Sequence, residues 1–107
     1  MPRLALAALA FATTAAFAAD PPQFSLTIEG HKFTPDRIEV PAGQKVKFVI
    51  ENRDDTAEEF DSGDLRTEKV IPPKTKGTVY IGPLKPGEYK FIGEFHAQTA
   101  HGVVVAK

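Results

Sequence analysis

The stretch TVYIGPLKPGEYKFIGEFHAQTAHGVVV, Thr78 to Val105, sets the frame for the rest of the chain. Val79 and Ile81, then Tyr89 and Phe91, recur at every second residue, so each pair lines one face of a strand. GPLKPG between them is a turn, with Gly87 free to take a positive φ. After Gly93 the pattern breaks: His96 and His101 flank Ala-Gln-Thr-Ala in a loop, and Val103 to Val105 resume an apolar run. The stretch therefore reads as strand, turn, strand, loop and closing strand.

Working outward, the same period of two returns in Phe24, Leu26 and Ile28, and again in Val46, Phe48 and Ile50. The Pro and Gly signals TPDR and PAG separate these runs at the short spacing of an antiparallel sandwich or barrel. No segment after Asp20 has a convincing helical period, which makes the fold class all-β. ENRDDTAEEFDSGDLRTEKVIPP, Glu51 to Pro73, is the least regular part. It reads as a long loop with a short strand near Phe60, or as a poorly ordered excursion. Pro72 and Pro73 would end any strand made by EKVI, because proline cannot donate to a ladder.

Residues 1–19 do not belong to that pattern. Arg3 followed by an Ala/Leu run and small residues from Ala16 to Ala19 has the layout of a cleaved export signal, leaving residues 20–107 as one domain. The run is interrupted by Thr13 and Thr14 and falls short of the ~20 apolar residues of a spanning helix, so no stable membrane insertion is expected after cleavage. Loss of Arg3 takes the formal charge from −1 to −2. A weakly acidic domain is a poor nucleic-acid binder, since that needs clustered Lys and Arg. With no cysteine there is no disulfide, and the apolar core must hold the exported domain unaided.

The side chains able to carry chemistry are few. All three histidines, His31, His96 and His101, fall in the domain, and loops at one end of a sandwich can bring imidazoles together as metal ligands. In TAEEFDS, if extended, Glu58 points with Phe60 and Glu59 with Asp61, and one of these two sets faces solvent. Ser25 and Ser62 lie in no nucleophile-elbow context, there is no phosphate-binding glycine loop, and the acidic residues lack EF-hand spacing. Hydrolase chemistry has no support.

From Phe24 to Lys107 the chain resembles the cupredoxins, and within them the EfeO-type cupredoxin-like domains of bacterial periplasmic ferrous-iron permease systems. The residues that carry this are HKFTPDRIEVPAGQKVKFVIEN, TAEEFDS, EKVIPP, GPLKPGEYKF and GEFHAQTAHGVVV, in that order. The resemblance implies a Greek-key β-sandwich, a periplasmic location and an accessory role beside an iron permease. It also implies where a blue-copper site would sit. Glu58 stands at the first His position, Gly93 at the Cys position and His96 at the second His position, while Thr99 or His101 falls near the Met position.

A type 1 blue site depends on a copper–thiolate bond, so this chain cannot build one. What remains is a nitrogen and oxygen set: His31, Glu58 or Glu59, His96 and His101. Such ligands suit iron, Cu(II), Mn(II) or Zn(II), and anionic oxygen favours Fe(III) over Fe(II). The expectation is a periplasmic protein that binds iron, takes Cu(II) as well, and assists ferrous-iron uptake. Ferroxidase-like oxidation would need an electron acceptor that one mononuclear site does not supply. The alternatives are a metal-free docking module that keeps the sandwich after losing its site, and a Cu(II) carrier.

Overall fold

The computed structural model describes residues 20–107; the expected export signal and its cleavage point lie outside them. Nine strands follow in chain order: β1 Gln23–Glu29, β2 Lys32–Thr34, β3 Arg37–Val40, β4 Val46–Asn52, β5 Glu58–Ser62, β6 Thr67–Ile71, β7 Lys76–Ile81, β8 Gly87–Gly93 and β9 His101–Ala106. One 3-10 turn, Glu94–His96, stands between β8 and β9. No helix among the described residues is long and apolar enough to cross a membrane.

The strands form two sheets, ordered β2-β1-β4-β7 and β3-β9-β8-β5-β6. β1 lies parallel to β4 and β3 parallel to β9, while the other pairs are antiparallel. The chain crosses between sheets after β2, β3, β4, β6 and β7, giving a Greek-key sandwich of the cupredoxin type.

Alternation decides which side chains meet between the sheets. Leu26, Ile28, Val46, Phe48, Ile50, Val79, Ile81 and Phe91 are all buried, as their period of two requires. The centre is aromatic. Phe33 meets Phe60 and Phe91 edge-on at centroid distances of 6.0 and 5.0 Å, and Phe48 meets Phe60 at 6.5 Å. Phe33 and Phe48 come from one sheet, Phe60 and Phe91 from the other, so these contacts join the layers. Burial of each such ring is worth about 1.5–3 kcal/mol relative to exposure.

The irregular Glu51–Pro73 stretch is not a long loop. It contains the hairpin β5–β6, paired from Glu58↔Ile71 to Ser62↔Thr67. The turn at residues 63–66 is fixed by side chains: Ser62 Oγ accepts from Leu65 N at 3.0 Å and donates to Lys90 O at 2.6 Å. Asp64 Oδ2 accepts from Lys90 N at 2.9 Å. β6 is an edge strand with only Ile71 buried, so its residues carry no alternation to read. It ends at Ile71, before the two prolines.

Candidate metal centre

At one end of the sandwich, His31, Glu58 and His96 each offer a ligand atom, and these atoms lie within 4.8 Å of one another. Glu58 opens β5, where alternation points it inward with Phe60 and Ser62, and it is 1% exposed. A carboxylate that deep needs partners. Its Oε1 accepts from the backbone N–H groups of Glu59 and Phe95, both at 3.0 Å. Its Oε2 lies 2.6 Å from His96 Nδ1, which donates to it, since a carboxylate can only accept.

Gly93 makes this burial feasible. A Cβ at residue 93 would stand 2.7 Å from Glu58 Cδ and 2.6 Å from Ala100 Cβ. The Glu58 carboxyl group takes the space that a side chain at residue 93 would need.

His31 arrives from the other sheet. It and Gly30 form the two-residue β1–β2 turn with φ of 57° and 59°, the left-handed pair that suits a tight hairpin. Asp54 fixes that turn: its carboxylate accepts from Gly30 N at 2.8 Å and His31 N at 2.9 Å. Thr99 Oγ1 donates to His31 O at 2.6 Å, tying the turn to the β8–β9 loop. Asp54 is placed in turn by buried Asn52, whose Oδ1 accepts from Asp54 N at 3.0 Å and whose Nδ2 donates to Thr56 O and Ile71 O. Burial pushes the Asp54 pKa upward, but the N–H groups of His31 and Gly30, helped by the charge of His31 and His96, outweigh it and hold the carboxyl below its ordinary value.

The two imidazoles are stacked, with centroids 3.6 Å apart and planes 12° apart. His31 Nδ1 lies 3.4 Å from Asp54 Oδ2, yet it is the one buried side-chain polar atom among the described residues without a hydrogen bond.

The other expected ligands are elsewhere. Glu59 lies on the opposite face of β5 and groups with Asp61 and Glu94. The charges of Glu59 and Asp61 raise the Glu94 pKa. His101 begins β9 opposite Ile92, exposed, and lines an open cleft with Asp36, Lys90 and Phe91. Sequence reasoning missed Asp54 and Asn52, and placed Thr99 only near the Met position of a blue-copper site. The Asn-x-Asp spacing in ENRDD was the available signal, because an Asn side chain commonly caps the backbone N–H two residues on.

The donors fit a nitrogen and oxygen site and exclude a type 1 blue one, since the chain has no cysteine. An orphaned buried imidazole nitrogen beside a carboxylate and a second imidazole is donor chemistry suited to a metal ion, so the His/Glu group could hold one.

Comparison with known proteins agrees with this fold. An uncharacterised protein of Rickettsia prowazekii (strain Madrid E) is 43% identical over 83 residues, 78% of this chain and 66% of that one, so the match spans just under two thirds of the relative's length. Auracyanin A, a "blue" copper protein of Chloroflexus aurantiacus, has a TM-score of 0.70 at 15% identity, covering 82% of this chain and 100% of its own. A purple cupredoxin from Nitrosopumilus maritimus has a TM-score of 0.56 at 24% identity, covering 78% and 98%. Likeness at these identities is one of fold. The family model of the cupredoxin-like domain matches residues 2–106, and the chain belongs to that family.

Proposed function

We propose that the protein is an exported, periplasmic metal-binding cupredoxin whose cargo is iron, that it also takes Cu(II), and that it serves as an accessory to ferrous-iron uptake. The observation that supports it is the convergence of His31, Glu58 and His96 from both sheets on one spot. A site of two imidazoles and one carboxylate, with no sulfur, accepts borderline and harder ions, and its anionic oxygen favours ferric over ferrous iron. Resemblance to the periplasmic component of iron permease systems supplies the physiological context. Cu(II) binding follows from the general order of divalent affinities and does not by itself identify the cargo.

Anaerobic titration with Fe(II), followed by admission of oxygen, tests this reading. Iron bound at micromolar concentration and Fe(III) formed faster than in protein-free buffer supports iron handling with a ferroxidase-like step. Binding without faster oxidation supports a carrier. Neither effect, with Fe(II) or Cu(II), leaves the second reading, a metal-free docking module. Both oxygens of the Glu58 carboxylate already accept hydrogen bonds within the protein, which favours that alternative.

A further inference from the structure

A metal ion bonds along the lone pair of an imidazole nitrogen, in the plane of the ring, at about 2.0–2.1 Å. With the planes of His31 and His96 only 12° apart and their centroids separated by 3.6 Å, no point within that reach lies in both planes. The stacked pair as it stands cannot put both imidazoles on one ion. One ring has to turn, and the two are held very differently.

His96 is anchored. Its Nδ1 donates at 2.6 Å to a carboxylate that is itself 1% exposed and pinned by two backbone N–H groups. Turning it breaks a short charge-assisted bond, among the stronger kinds of hydrogen bond. His31 is hydrogen-bonded only through its backbone, to Asp54 and Thr99; its ring makes no hydrogen bond, and beyond the stack its one polar neighbour is Asp54 Oδ2, 3.4 Å from Nδ1. Its side chain is 41% exposed, against 27% for His96. Turning the His31 ring therefore breaks no hydrogen bond and relieves a buried nitrogen that has no partner.

We infer that the site consists of a fixed half, Glu58 with His96, and one mobile ligand, His31, whose ring leaves the stack when an ion is taken. The clamp on the Gly30–His31 backbone keeps the turn in place while the side chain moves, so capture is a side-chain event with no rearrangement of the strands. This inference rests on the metal-binding reading above.

Zn(II), which is diamagnetic, is the probe, followed by NMR of the imidazole nitrogens and ring protons. On titration, one nitrogen each of His31 and His96 takes a metal-bound shift in the same step. In that step the His31 ring protons lose the ring-current shift of the stack, while backbone amides of β1 and β2 stay put. If His96 shifts while His31 keeps its stacked signals, the mobile-ligand assignment is overturned and metal binding stands. If neither imidazole responds at millimolar Zn(II), the metal-binding reading itself fails. His31→Gly gives a second readout without backbone strain, because glycine accepts the positive φ of residue 31. Its Zn(II) affinity falls at least ~10-fold, the lower end of the loss from removing even an outer contact of a metal site. Unchanged affinity in that variant overturns the assignment.

Discussion

Gly93 and Glu58 share one volume: a Cβ on residue 93 would stand 2.7 Å from the Glu58 Cδ and 2.9 Å from its Oε1. Carbon atoms in contact prefer about 3.5–4.0 Å, so no side chain enters at residue 93 without moving the carboxylate. Gly93→Ala is expected to cost about 1–3 kcal/mol, the usual range for overpacking. The urea midpoint measures it. Glu58→Ala combined with Gly93→Ala should lose less than the two separate losses added together, because one clash disappears; strict additivity would show that the carboxylate is not what fills the space. Gly93→Cys alone should produce no blue colour on adding Cu(II), since its thiol would have to displace Glu58 first.

Removing the carboxylate has the opposite fault. Glu58→Ala leaves the N–H groups of Glu59 and Phe95 and the His96 Nδ1 without their acceptor, at roughly 1–3 kcal/mol for each donor that water cannot reach. Glu58→Gln keeps one carbonyl oxygen for the two backbone donors and loses the charge opposite His96. The expected order of stability in chelator is wild type, then Gln, then Ala, read from denaturant unfolding. An Ala variant as stable as wild type would mean that this network does not hold the β8–β9 loop.

Asp54 makes stability depend on pH in a definite direction. Its folded pKa is held below the ordinary value of 3.8, with burial opposing the shift and the N–H groups of His31 and Gly30 prevailing. A carboxyl group shifted down binds its proton more weakly when folded, so it adds stability above pH 3.8 and loses it as the pH falls below that value through the lower folded pKa. Asp54→Asn is therefore expected to be less stable than wild type at pH 7, with the difference closing below pH 3.8. Urea midpoints from pH 7 to pH 3 check it, and a gap that persists at the acid end would assign the loss to packing.

How much of this was legible depended on what alternation can encode. Phe24, Phe48, Val79 and Phe91 announce their strands because one face of each meets the core, whereas β6 hides because four of its five residues look outward. The same rule narrowed the inward carboxylate to Glu58 or Glu59, and burial of Phe60 beside Glu58 settles which. Alternation says nothing of which loops of opposite sheets come together. His101 looked like a companion to His96 five residues away, but it begins β9 and pairs with Ile92, while His31, 65 residues earlier in the chain, stacks on His96. Asp54 was hidden for a related reason, since its partners, Gly30 and His31, lie across the sandwich end in a different turn.

That juxtaposition gives the site a mechanical consequence. His31 belongs to the β1–β2 turn of one sheet, and Glu58 and His96 belong to β5 and the 3-10 turn of the other. Between these segments the described contacts are the Thr99 hydrogen bond to His31 O and the ring stack. An ion held by both imidazoles would tie the two layers, and because the unfolded chain does not gather these groups, binding adds to folding stability. At an ion concentration 100 times the dissociation constant the gain is about 2.7 kcal/mol. For a domain of this size each kcal/mol raises Tm by roughly 4–8 °C, so a rise of ~10 °C or more is expected on adding excess Cu(II) or Zn(II). EDTA should reverse it. Protons compete for imidazole nitrogen, so the rise should shrink as the solution is acidified. His31→Gly should abolish most of the rise while leaving the Tm in EDTA close to that of wild type. A Tm rise that survives in this variant would place the bound ion outside the His31–His96 pair, and the acidic group of Glu59, Asp61 and Glu94 would be the next place to look.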